Sequence, residues 1–117
     1  MSFKTILRRL VDSTGATGAV LLASDGEVVE SYSGTETELD LIGAHQGIIL
    51  ASIKDCAGRS ASGAVRSVTV STEKTRLVIL TIKEGYYLVV TAAKACFTGK
   101  ILMEGALALK SVEEEMG

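Results

Sequence analysis

Three short turn signals, Asp25-Gly26, Glu73-Lys74 and Glu84-Gly85, each stand between runs rich in aliphatic and β-branched residues. Asp-Gly between apolar runs is among the strongest hairpin signals. Ala19 to Ala23 reads as a strand apolar on both faces, and Glu27 to Ser33 returns against it. Ala64 to Thr72, Leu77 to Ile82 and Tyr86 to Ala93 read as three further strands. In the first of these, Val68 and Val70 fall on one face and Val65, Ser67 and Thr69 on the other. Strands joined by such short turns run antiparallel, so a single five-stranded sheet follows.

Helical periodicity fills the remaining segments. Phe3, Ile6, Leu7, Leu10 and Val11 recur on one side of a short N-terminal helix, with Lys4, Arg8 and Arg9 opposite and Gly15 as its C-cap. Ile101, Leu102, Gly105, Ala106, Leu109 and Val112 mark a C-terminal helix ending in Glu113-Glu114-Glu115, expected to be a solvated, fraying end. Between the second and third strands, Thr37 offers an N-cap for a central helix that runs to about Ala57 and stops at Gly58. The expected class is α/β (α+β) in the order α-β-β-α-β-β-β-α, with helices on both faces of the sheet.

The central helix carries two apolar stripes. Leu39, Ile42, Gln46, Ile49, Leu50, Ile53 and Ala57 share a broad face suited to the sheet. Leu41 and Ile48 project on nearly the opposite side, near His45 and Ser52. Between the two lie Gly43, Ala44, Gly47 and Ala51. Each glycine costs about 1 kcal/mol relative to alanine inside a helix, so their presence suggests close approach of another backbone. A helix apolar on two sides is buried on two sides, which points to a second chain as cover. Composition agrees: 47% of the 117 residues are hydrophobic and only 22% charged, so a lone domain would expose apolar patches. One domain, residues 1–117, is expected.

The same numbers exclude several functions. A net charge of −2 provides no electrostatic footprint for nucleic acid. No apolar run is long enough for membrane insertion, and the N-terminus lacks a signal-peptide core. Cys56 and Cys96 stand far apart, which favours two reduced thiols in a cytoplasmic protein; a disulfide or redox pair is the other reading.

Catalytic equipment is sparse. His45, the one histidine, has no acid–base partner by periodicity and reads as a packed or interface residue rather than a catalytic or pH-sensing one. Gly15-Ala16-Thr17-Gly18 lacks the Lys-Ser/Thr of a phosphate loop and precedes a strand, so it reads as a turn. Ser60 and Ser62 have no base at motif spacing, and metal ligands are scattered. Arg59 and Arg66 could stabilise charge on a transferring phosphate, although linker and edge arginines are usually solvated or paired. No catalytic residue, metal or cofactor is expected, and the chain is read as a non-enzyme.

At this point the residues reach a known pattern. Gly18-Ala19-Val20-Leu21-Leu22-Ala23-Ser24-Asp25-Gly26-Glu27-Val28-Val29 resembles the opening hairpin of the Roadblock/dynein-light-chain family. Gly63 to Val70 resembles that family's third strand, Leu77 to Ile82 with Gly85 to Val90 its closing strands, and Gly99-Lys100-Ile101 its entry into the last helix. The resemblance spans nearly the whole chain and implies a Roadblock/profilin-like fold. It also implies a homodimer, or a heterodimer with a related Roadblock chain, in which third strands pair edge to edge and central helices lie side by side. Members of the family regulate or scaffold small Ras-like GTPases, in bacteria including activators of polarity-controlling GTPases, and others attach cargo to dynein.

The resulting expectation is a non-catalytic, cytoplasmic, dimeric regulator or scaffold of a small Ras-like GTPase, possessing the bare domain. Its dimer interface would use Gly43, Gly47, Ala51, Val65, Ser67, Val68 and Val70. Its partner-binding ridge would use Glu38, Leu41, His45, Ile48 and Ser52, and binding could stimulate GTP hydrolysis. The alternative is a small-molecule sensor holding a ligand between sheet and helices, or a scaffold for other partners.

Overall fold

The computed structural model describes residues 2–25, 27–33, 65–71, 73, 75–93 and 98–117. Helix α1, Phe3–Thr14, begins where the Ser2 hydroxyl accepts from the Thr5 N–H at 3.2 Å, and ends at Gly15, whose N–H returns to the Val11 carbonyl. Capping the free N–H groups of the first turn is worth about 1 kcal/mol. Strands β1 (Gly18–Leu22), β2 (Val28–Ser33), β3 (Ser67–Ser71), β4 (Thr75–Thr81) and β5 (Tyr87–Ala93) follow, and helix α2 spans Thr98–Met116.

All pairings are antiparallel and the sheet order is β2-β1-β5-β4-β3. The expected five-stranded antiparallel sheet is therefore present. The first hairpin closes with the Ala23 N–H on the Glu27 carbonyl and the Glu27 N–H on the Asp25 carboxylate, an Asx turn that pre-sets the reversal. Gly26 itself lies outside the described residues. Leu21 pairs with Glu30 but Leu22 with Val28, so β2 carries a bulge at Val29. At the β4–β5 turn Glu84 (φ 62°) and Gly85 (φ 81°) are both left-handed, with the Tyr86 N–H on the Lys83 carbonyl. Two such residues in succession match the right-handed twist of the flanking strands.

The strands β1, β4 and β5 are buried on both faces. Ala19, Leu21, Val78, Leu80, Leu88 and Val90 point to one face and join Ile6, Leu7, Leu10 and Val11 of α1 and Ile101, Ala108 and Val112 of α2. Gly105 lets α2 approach the sheet closely, since a Cβ there would collide with the Leu80 side chain. Val20, Leu22, Leu77, Ile79, Tyr87 and Val89 form a second cluster on the other face, to which neither α1 nor α2 contributes. Val20, Leu22, Ile79 and Val89 are nevertheless 0% exposed. Each such side chain contributes about 1.5–3 kcal/mol on burial.

Several expectations need correction. Of the expected strand Ala64 to Thr72, the ends Ala64 and Thr72 lie outside the described residues, and Val65 and Arg66 precede β3, whose ladder with β4 runs from Ser67↔Leu80 to Ser71↔Arg76. Val65 does not fall opposite Val68 and Val70 but packs with them against the second cluster. It precedes the strand, where period-two alternation no longer governs direction. On α2, Ala106 is exposed and Ala108 takes its place in the core. The two are neighbours around the edge of a broad apolar stripe, so composition could not rank them. Helix α2 ends in the acidic run Glu113, Glu114 and Glu115, as expected, and closes one residue later at Met116. Both described helices cover the same face.

Candidate interaction surfaces

β3 is an edge strand, and its local build shows which groups it leaves open. The Thr81 N–H donates to the Arg66 carbonyl at 3.0 Å. Residues 66 and 81 are therefore a hydrogen-bonded pair of the antiparallel ladder, in register with the pairs described for β3 and β4. Such pairs alternate, so Val68 and Val70 direct their backbone groups to β4. Ser67, Thr69 and Ser71 direct theirs to the open edge. The entry to the strand is pinned as well: the Thr81 hydroxyl lies 2.8 Å from the Val65 carbonyl, to which it donates.

The side chains of this strand divide in the same way. Val68 and Val70 are half-buried against the second apolar cluster, while Ser67, Thr69 and Ser71 are exposed. Small hydroxyl residues alternating with valine present a flat edge with no charge on the strand itself. An edge of this kind is a template for pairing with another strand. The opposite edge, β2, is interrupted by its bulge and flanked by the exposed Lys4–Glu30 ion pair, with Lys4 also donating to the Ser31 carbonyl at 2.8 Å. Bulges and charges are devices that blunt an edge.

Of the residues expected at the dimer interface, the structure brings Val65, Ser67, Val68 and Val70 together on this edge. Gly43, Gly47 and Ala51 lie outside the described residues. So do Glu38, Leu41, His45, Ile48 and Ser52, the whole expected partner ridge, along with Arg59, Ser60, Ser62, Cys56 and Cys96. Arg66 is exposed at the start of β3. It borders an open groove with Ser67, Thr81, Leu102, Ala106 and Leu109, between the sheet and α2.

Two features escaped sequence reasoning. Thr69, whose backbone faces outward at the middle of β3, was read only by the direction of its side chain. Met103 and Leu107, each 61% exposed on α2, lie outside the stripe that was read as core. Their four-residue spacing was a visible signal.

Buried polar chemistry on the described residues is structural. Thr91 is buried on β5, and its hydroxyl meets the Thr17 hydroxyl at 2.9 Å. The Tyr87 phenol is pushed above its ordinary pKa of 10.0, chiefly by burial and then by the negative charge of Asp25. Among the described residues no group of three or more His, Cys, Asp or Glu side chains gathers. No described helix is long and apolar enough to cross a membrane.

Known proteins share this architecture. No curated protein matches the sequence significantly. A Roadblock/LC7 domain from Streptomyces avermitilis superposes with a TM-score of 0.88 at 26% identity, covering 97% of this chain and 96% of that one. Myxococcus xanthus MglB gives 0.89 at 14% identity, over 97% and 94% of the two chains. MglC from the same organism gives 0.70 at 28% identity, over 98% and 99%. The family model described as the Roadblock/LC7 domain matches residues 2–92, and the chain belongs to that family.

Proposed function

We propose that this protein is a non-catalytic, dimeric regulator or scaffold of a small Ras-like GTPase. The observation that carries the reading is the open β3 edge: outward backbone groups on Ser67, Thr69 and Ser71, uncharged side chains, and an opposite edge that is blunted. Pairing two such edges extends the sheet across both copies and brings their second faces side by side. In the family pattern that face carries the central helices, whose outer stripe here is Glu38, Leu41, His45, Ile48 and Ser52. The paired helices then form one continuous ridge to which a globular partner docks.

Membership of the Roadblock/LC7 family and the full-length likeness to MglB and MglC support this assignment. The regulator needs no nucleotide site of its own. It stimulates hydrolysis, where it does so, by repositioning groups of the GTPase, which is a positioning and electrostatic effect in phosphoryl transfer.

The test is capture from source cells on tagged protein in GDP and in a non-hydrolysable GTP analogue, followed by titration of the recovered GTPase. A Ras-like GTPase enriched with the GTP analogue is expected, and Ile48→Glu should weaken it at least tenfold without changing the circular dichroism spectrum. Recovery of no GTPase in either nucleotide overturns the reading, and an unchanged dissociation constant for Ile48→Glu overturns the ridge.

A further inference from the structure

We infer that the outer face of α2 is a second self-association surface, on which α2 packs antiparallel against α2 of another copy. The surface is a regular seam. Lys100, Met103, Leu107, Lys110 and Glu114 are all exposed and follow one another at spacings of three and four. That spacing keeps them on one narrow stripe of the helix, the geometry of a coiled-coil contact line. Met103 and Leu107 form its apolar centre, each 61% exposed. Isolated apolar residues on a surface are ordinary. Here two large ones stand one turn apart, and the exposed charged residues that end their stripe, Lys100 and Glu114, are placed symmetrically about Leu107.

That symmetry chooses the occupant. A two-fold axis at Leu107 sets Leu107 against the partner subunit's Leu107. Lys100 lies seven residues to one side and Glu114 seven to the other, about 10 Å of helix rise each way. The axis therefore places each Lys100 beside the partner subunit's Glu114, twice over. It also lays the aliphatic stem of Lys110 along the partner subunit's Met103, as long charged side chains cover apolar surface. Self-complementarity of this kind is the requirement of an isologous contact. A parallel arrangement would instead stack Lys100 on Lys100 and Glu114 on Glu114. An anionic membrane would meet the acidic run Glu113 to Glu115 at the end of the same helix, so the second copy is the better fit.

The seam and the β3 edge are separate. Helix α2 packs on the face of the sheet that carries α1, whereas β3 opens sideways, so both contacts can form at once. The α2 contact is one helix wide and smaller than a permanent interface. It acts as a concentration-dependent link between units already joined through β3, and it does not depend on a GTPase partner.

Sedimentation velocity over a dilution series tests the inference on the full chain. The wild-type protein is expected to reach assemblies larger than the Leu107→Glu variant at equal concentration, with at least a tenfold shift in the association midpoint. Lys100→Glu and Glu114→Lys should each weaken association about two- to fivefold, and the double variant should restore it. Circular dichroism confirms that these exposed substitutions leave the fold intact. An unchanged mass distribution for Leu107→Glu overturns the surface. Failure of the double variant to rescue overturns the antiparallel register. Loss of the β3 contact would show itself differently, as a smaller unit in every variant.

Discussion

Proline at position 69 separates the strength of the β3 edge as an interface from its role in the fold. The Thr69 N–H points away from β4, because the bond from the Thr81 N–H to the Arg66 carbonyl fixes which alternate residues face that strand. In the proposed dimer a two-fold axis at Thr69 opposes it to its own copy and opposes Ser67 to the partner subunit's Ser71. Three hydrogen-bonded pairs then supply about six backbone bonds. At about 0.5–1.5 kcal/mol net for each, the loss of one donor per copy removes about 1–3 kcal/mol, or roughly 5- to 150-fold in the dimer dissociation constant. The pyrrolidine ring also stands where the partner backbone would approach. The β3–β4 ladder loses nothing, since proline is tolerated on the open side of an edge strand. Val68→Pro is the contrasting variant, because its N–H faces Ile79 and its loss weakens the fold itself. Sedimentation equilibrium on Thr69→Pro, made in the Leu107→Glu background so that α2 does not contribute, should show weakened dimers and little change in the monomer's urea unfolding. Dimers of unaltered strength in a folded Thr69→Pro protein would refute edge pairing through β3.

Three further outcomes are expected. Gly85→Ala forces a side chain into φ 81° and sets its Cβ 2.9 Å from that of Ser24, so urea unfolding should show a loss of about 1–2 kcal/mol from the backbone plus a contact cost that Ser24→Gly relieves; equal losses in both backgrounds would exclude the contact. Thr81→Val removes the hydroxyl bonded to the Val65 carbonyl and should cost about 0.5–1.5 kcal/mol, with hydrogen exchange of residues 65–71 rising more than that of β5. Tyr87 is raised above the 10.0 of an unfolded tyrosine, so the folded state keeps a proton that the unfolded state has released. Its stability should hold below pH 10 and fall as the pH climbs from there through the raised folded value, and Tyr87→Phe should flatten that decline in urea midpoints measured at successive pH values; an equally steep decline would assign it to other groups.

Much of the architecture was legible because it is local. Helix α1 announces itself by a C-cap glycine and five apolar residues on one stripe, whereas its Ser2 N-cap was found only in the structure. The hairpins announce themselves by Asp25 and by Glu84-Gly85, whose conformations depend on near neighbours. Even so, local pattern misplaced Val65 and ranked Ala106 above Ala108. In both cases the deciding fact was what lay across the gap. Val65 sits beyond the end of a ladder, and the helix face turned toward Leu80 is the one on which Gly105 allows close approach.

The candidate surfaces divide along the same line. Two-sided burial of the sheet was foreseeable from the unbroken apolar run Ala19 to Leu22, because a strand apolar on both faces needs two covers. Which strand would be left at an edge did not follow from periodicity and was implied only by the family resemblance, since the order β2-β1-β5-β4-β3 brings β1 beside β5 across more than sixty residues of chain. Nor could periodicity tell that Thr69 presents its backbone outward while its valine neighbours present theirs to β4. The amino-acid sequence by itself determined the elements among the described residues and the family, because these rest on periodicity and short-range sterics. Only the tertiary structure decided which backbone groups β3 turns outward and which face of α2 is bare, because exposure is set by what packs alongside an element and not by the element's own residues.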